Sequence, residues 1–194
     1  MINFKALELE DQAWMVPLLM AAGLQNSQYS FANLFAWSVI YPYYVARVDD
    51  CLLIKGINLD GTPSYFFPAG PGDLKSLLLA MRQDAAAAGF AFKLIGLSPD
   101  NLSVINRLFP GQFKFIEICG LFDYVYLLDH LARLPGRKLS AKRNHINYFL
   151  RNNQWSFEPL TLNNLAECWE MNQAWYKTRD LESDQHLAQE CLVV

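Results

Sequence analysis

The sequence predicts an α+β fold, a mixed sheet flanked by helices, with one copy followed by the start of a second. Three observations carry this reading. Short alternating segments and amphipathic helical segments interleave through residues 1–130. Two strand-like runs face each other across the tight Asp49-Asp50 turn. After residue 130 the strand-and-helix pattern starts again.

Each element has its own signal. The opening FKALELE alternates apolar and polar residues and reads as a strand. Glu10 to Gly23 reads as a helix, although Pro17 lies inside it. Ser30 is placed to cap a second helix, Phe31 to Ile40. Tyr43 to Val48 and Cys51 to Ile57 are the two strands of the hairpin. A turn at Asn58-Leu-Asp-Gly-Thr-Pro63 leads to a third strand, Ser64 to Phe67. The loop Pro68-Ala-Gly-Pro-Gly72 then precedes an amphipathic helix, Asp73 to Ala88, closed by Gly89. Ala91 to Leu97 reads as a strand. Ser98-Pro99-Asp100 is a helix start with proline in the first turn, and that helix runs to about Leu108. Phe113 to Ile118 and Asp123 to Leu128 are predicted as the last two strands.

The resulting order, β-α-α-β-β-β-α-β-α-β-β, resembles that of the Gcn5-related acyltransferase fold. Beyond residue 130 come a basic helix at 138–152, a strand from Trp155 to Pro159, a helix from about Leu162 to Lys177 capped by Thr161, and a last segment opened by Ser183. The expected organisation is a first acyltransferase-like domain over 1–130, a linking helix over 131–153, and the beginning of a second, truncated domain over 154–194. The alternative is that the last third is a helical appendage of the first domain.

Composition excludes several classes. The 194 residues are 53% apolar and 18% charged, with a net charge of −3, so the chain is neither a disordered segment nor a global polycation. Cys51, Cys119, Cys168 and Cys191 form no CxxC pair, and His130, His145 and His186 show no metal-ligand spacing. No zinc site is expected. The start of the chain lacks the pattern of a signal peptide. No apolar run is long enough to span a bilayer. A cytoplasmic protein with free thiols is expected, and no DNA partner.

Charge is unevenly distributed. His130 to Phe157 carries Arg133, Arg137, Lys138, Lys142, Arg143 and Arg151 and no acidic residue, +6 over 28 residues. The rest of the chain carries −9. On a helix, Leu139, Ile146 and Leu150 share one stripe. Lys138, Lys142 and His145 flank it on one side, and Arg143, Asn147 and Arg151 on the other. Such a rim of cations and amides suits phosphate groups, while the plainer reading is a solvated inter-domain helix.

Three further segments hold candidate residues. The loop at 68–73 precedes a helix, where backbone amides can receive a pyrophosphate. Gly70 and Gly72 have the spacing of the last two glycines of the coenzyme A loop of the acyltransferase fold. Phe67 stands where its Gln or Arg belongs, Pro71 removes an amide donor, and Asp73 adds negative charge. This copy is therefore expected not to bind coenzyme A. In the aromatic segment 29–37, core packing is the default reading, with Asn33 and Trp37 as pocket candidates. The tyrosines of the last strand, Tyr124 and Tyr126, could serve as acids in acyl transfer, but a core or surface role is the first reading. No catalytic residue is assigned.

The run Gly136-Arg-Lys-Leu-Ser-Ala-Lys-Arg-Asn-His-Ile-Asn-Tyr-Phe149, with Ser30, Phe31, Asn33, Leu34 and Trp37, resembles uncharacterised bacterial relatives of the phosphatidylglycerol lysyltransferase C-terminal domain. The resemblance implies two tandem acyltransferase-like domains, as in the Fem-type aminoacyltransferases. It implies an aminoacyl-tRNA donor, with Arg137, Lys138, Lys142, Arg143, Asn144 and Asn147 toward the polyanionic carrier; His145 joins these binding candidates from its place on the basic helix, and acyl-coenzyme A is the other candidate donor. Members of that family run about a hundred residues longer, and the chain is expected to be an incomplete, inactive portion. The alternatives are a non-catalytic binding module for RNA or another polyanion, and an acetyl-coenzyme A-dependent acyltransferase.

Overall fold

Two short polar turns and one glycine-rich loop set the layout. The computed structural model describes residues 2–179 and 185–193. The chain gathers into two compact units, Met1–Ile118 with Asp184–Val194, and Cys119–Ser183.

The first unit is built on a five-stranded sheet in the order β1 (Lys5–Ala6), β2 (Tyr43–Val48), β3 (Cys51–Ile57), β4 (Pro63–Phe66), β5 (Leu94–Ile95). The first three pairings are antiparallel and β4–β5 is parallel. A parallel neighbour requires a crossover, and α3 (Leu74–Ala87) supplies it. The β2–β3 hairpin pairs Val48 with Cys51 across Asp49, whose φ of 51° suits a residue able to adopt the left-handed region.

Alternation along β2 and β3 divides the core between two faces. Val45, Leu52 and Ile54 meet Met15 and Leu19 of α1 (Gln12–Ala22) and Phe31 and Leu34 of α2 (Phe31–Trp37). Ala46, Cys51, Leu53 and Tyr65 meet Leu77, Leu78, Met81 and Ala85 of α3. Helices cover both faces, which explains why β3 reads CLLI without a polar break. Pro17 is tolerated inside α1 because Ala13, whose carbonyl loses its helical donor, is exposed to water. Ser30 stands at the start of α2 with its side chain making no cap. α4 (Pro99–Leu108) begins with a reciprocal box: the Asn101 amide donates to Ser98 Oγ at 3.2 Å, and the Ser98 amide to Asn101 Oδ1 at 3.0 Å.

The second unit holds α5 (Leu128–Arg133), α6 (Ser140–Asn152) and α7 (Leu165–Lys177). α8 (Gln185–Val193) follows as part of the first unit. Together these elements make an α+β chain with a mixed sheet and eight helices among the described residues, consistent with a Gcn5-related acyltransferase-like fold.

Several expectations are corrected. The strands expected at 113–118 and 123–128 are irregular chain, with a 3-10 turn at Cys119–Leu121 between them. The sheet ends at β5, which is only two residues long and offers no further paired edge. A strand without a partner is not stable by itself. Trp155 to Pro159 is likewise irregular. The α7 helix begins at Leu165, and Asn164, not Thr161, precedes it. Asn164 Oδ1 accepts from the Thr161 amide at 2.7 Å, so these residues form a turn before the helix. The expected start at Ser183 lies outside the described residues.

Candidate functional site

The basic segment folds as a 3-10 turn, Arg137–Leu139, running into α6. Arg137, Lys138, Lys142, Asn144, His145 and Asn147 are all exposed there. Among the described residues, Arg137, Lys138, Lys142, Arg143 and Arg151 make no ion pair, whereas Arg133 is bound to Asp129 at 2.7 Å. The segment thus keeps most of its positive charge unneutralised. Its local field favours anions at this place on an otherwise acidic chain.

Arg143 has a different task. Its Nη1 donates to the carbonyls of Leu134 and Gly136, the latter at 2.8 Å. Leu134 has φ 45°, a conformation unfavourable for a branched residue, and ends α5. The guanidinium therefore ties down the turn that presents Arg137 and Lys138. Arg143 serves first as a positioning residue.

Sequence reasoning missed two neighbours of the cations. Asn144, Tyr148, Arg151 and Asn152 line a shallow depression on α6. Their spacing of four, seven and eight residues places them on one helical face, the signal from which Tyr148 and Asn152 could have been read. The apolar stripe expected on α6 is only half covered, with Ile146 48% and Leu150 45% exposed. Asn33 and Trp37 lie four residues apart on α2, both half-buried, with the Trp37 ring 6.1 Å from that of Tyr41.

The loop between β4 and α3 shows a contrasting use of backbone amides. Leu52 and Ala69 exchange two backbone hydrogen bonds, at 2.8 and 3.0 Å, which fasten the loop to β3. The Gly72 amide donates to Cys51 Sγ at 3.0 Å. Pro71 has no amide proton to offer. Asp73 accepts from the Lys75 amide at 3.1 Å and from the Ser76 hydroxyl at 2.6 Å, and the Ser76 bond holds its carboxyl below the usual range. Glycine is required here by close approach. A Cβ on Gly70 would stand 2.2 Å from the Asp50 carbonyl oxygen, and one on Gly72 would stand 2.7 Å from Cys51 Sγ. These residues do not fit a coenzyme A pyrophosphate, because donors are spent inward and a carboxylate faces outward.

A family model described as phosphatidylglycerol lysyltransferase, C-terminal, matches residues 21–190. The chain belongs to that family. The lysyltransferase C-terminal family match spans both the sheet unit and the basic helix. A solved structure, described as a conserved protein of unknown function from Bacteroides thetaiotaomicron VPI-5482, superposes with a TM-score of 0.92 at 30% sequence identity. The match covers 100% of this chain and 65% of that one, so this chain spans about two thirds of its solved relative. No curated protein matches. No helix among the described residues is long and apolar enough to cross a membrane.

Proposed function

We propose that this chain belongs to an aminoacyl or acyl transferase related to phosphatidylglycerol lysyltransferase, and that α6 and the turn before it receive the phosphates of the acyl carrier. The observation that supports this most is the row of unneutralised cations, Arg137, Lys138, Lys142 and Arg151, on a family member that is acidic elsewhere. Arginine and lysine pair with phosphate through charge-assisted hydrogen bonds. An aminoacyl-tRNA fits this chemistry better than acetyl-coenzyme A, since the loop at 68–73 is closed on Cys51.

The reaction class is direct attack of an acceptor amine or hydroxyl on the activated acyl carbonyl, with release of the carrier. In that scheme the protein supplies positioning and stabilises the developing oxyanion. The acceptor and the catalytic groups stay unassigned in this reading.

Equilibrium binding of charged tRNA, uncharged tRNA and acetyl-coenzyme A at two salt concentrations tests it. Four phosphate contacts give a log–log salt slope of about −3 to −4 for tRNA. Lys138→Glu/Lys142→Glu, at two exposed positions, should flatten that slope by about two contacts. Salt-insensitive or absent tRNA binding would remove α6 as the carrier site.

A further inference from the structure

On α6 (Ser140–Asn152) the covered side and the open side lie opposite each other. Ile146 and Leu150, the half-covered apolar stripe, stand about 160° to either side of Tyr148 at 3.6 residues per turn. Tyr148 therefore projects away from that stripe, and it is 70% exposed. Packing does not account for a large ring there. Among the described residues its side chain makes no hydrogen bond and no ring contact.

The ring has polar neighbours. With Asn144, Arg151 and Asn152 it lines a depression of about 240 Å³. Pockets that enclose a whole ligand run to roughly 300–1,000 Å³, so this one suits a single flat group laid against the ring. Asn152 Nδ2 donates to the Tyr148 carbonyl at 2.7 Å, which holds that amide in place. Asn144 and Arg151 are exposed, and Arg151 makes no ion pair among the described residues. No acidic residue lies between His130 and Phe157 to oppose an anion.

We infer that this face of α6 holds an unpaired nucleotide, with its base stacked on Tyr148, its base edge met by the Asn144 amide and its phosphate met by Arg151. Tyr148 then adds selectivity to the carrier site proposed for α6, on which this inference rests. The cations hold phosphate, and the ring requires a base that is free to stack. A duplex keeps its bases stacked on one another and engages the cations alone. An anionic lipid headgroup offers phosphate but no aromatic plane, which leaves Tyr148 and Asn144 without a role.

Fluorescence anisotropy on the intact chain tests this with a short single-stranded RNA, the same RNA as a duplex, and a single strand of equal length that lacks bases. The single-stranded RNA should bind more tightly than the base-free strand. Tyr148→Ala should weaken the single-stranded RNA about 5- to 150-fold, the range of one lost base stack, and leave the other two within about twofold. Tyr148→Phe should keep the parent affinity, since the ring and not the hydroxyl stacks. The salt slope should be the same in Tyr148→Ala as in the parent, because the ring carries no charge. Alanine favours helix, so the far-UV circular dichroism of Tyr148→Ala should match the parent. Salt-sensitive binding of all three probes, weakened by Lys138→Glu/Lys142→Glu but not by Tyr148→Ala, would overturn the stacking site and leave the carrier reading standing. No binding of any probe would overturn both. A fall in all three affinities together with lost helix signal would mark Tyr148 as structural and overturn the inference. Tyr148-dependent binding to phosphatidylglycerol vesicles alone would overturn it in favour of a lipid surface.

Discussion

In the sheet unit Val45, Leu53, Tyr65 and Met81 are fully buried, whereas in the unit Cys119–Ser183 Tyr124, Phe157 and Leu162 stand 88, 88 and 90% exposed. Both stretches are rich in large apolar residues. The difference lies in pairing. The first unit closes its β2–β3 hairpin with a two-residue turn and crosses to β5 through α3, so apolar side chains from distant positions meet on two covered faces. The second unit has helices and irregular chain but no sheet among its described residues, and its apolar residues meet little except solvent. Apolar composition supplies the material of a core, and non-local pairing decides whether one forms.

The largest expected effect separates the units directly. Leu53→Ala should cost about 2–5 kcal/mol in urea unfolding, since it empties a fully enclosed position. Leu162→Ala should stay within about 0.5 kcal/mol. Comparable losses would break the contrast.

A smaller effect is expected at a polar group enclosed by the same sheet. Asp84 Oδ2 accepts from Lys55 Nζ at 3.0 Å and from the Tyr65 hydroxyl at 2.6 Å, while Lys55 Nζ also lies 4.3 Å from the Phe4 ring centre. Burial, with the Asp84 carboxylate beside it, holds the Tyr65 hydroxyl well above the usual phenol range. Asp84→Ala strands both donors and should cost about 2–4 kcal/mol. The exposed Asp129–Arg133 pair in the second unit should give under about 1 kcal/mol on Asp129→Ala.

The smallest expected effect depends on pH. Burial raises the carboxyl of Asp11, but hydrogen bonds from Trp14 Nε1, Lys5 Nζ and the Glu8 amide outweigh it and leave its pKa below the usual value. A depressed folded pKa means that its contribution to stability is present above the unfolded value, about 3.9. That contribution is lost as pH falls through the folded value. Asp11→Asn should therefore lower the urea midpoint at pH 6 and converge with the parent chain as pH falls through the folded value. Parallel curves would place the role of Asp11 in shape and not charge.

How much was legible follows from the range of each interaction. The hairpin strands Tyr43–Val48 and Cys51–Ile57 were readable residue for residue, because the Asp49-Asp50 turn and the alternation around it are local. The α4 start was readable for the same reason, since Ser98, Pro99 and Asn101 act within one turn. Alternation at 113–118 and 123–128 announced strand competence but could not say whether a partner edge would be present. The positive charge of α6 was visible in composition. The use of Arg143 as a tether was not, because it depends on the left-handed backbone of Leu134, nine residues away. The closure of the glycine loop was equally hidden. It rests on a thiol 21 residues earlier in the chain, brought to Gly72 by the β3 strand.

The acyl carrier is proposed to meet α6 and not the glycine loop of the sheet unit. Hydrogen exchange of the intact chain, alone and with uncharged tRNA or acetyl-coenzyme A, tests it most directly. Bound tRNA should slow amides within 137–152, and acetyl-coenzyme A should leave 68–73 unchanged. Slowing at 68–73 by acetyl-coenzyme A, with 137–152 indifferent to tRNA, would contradict it.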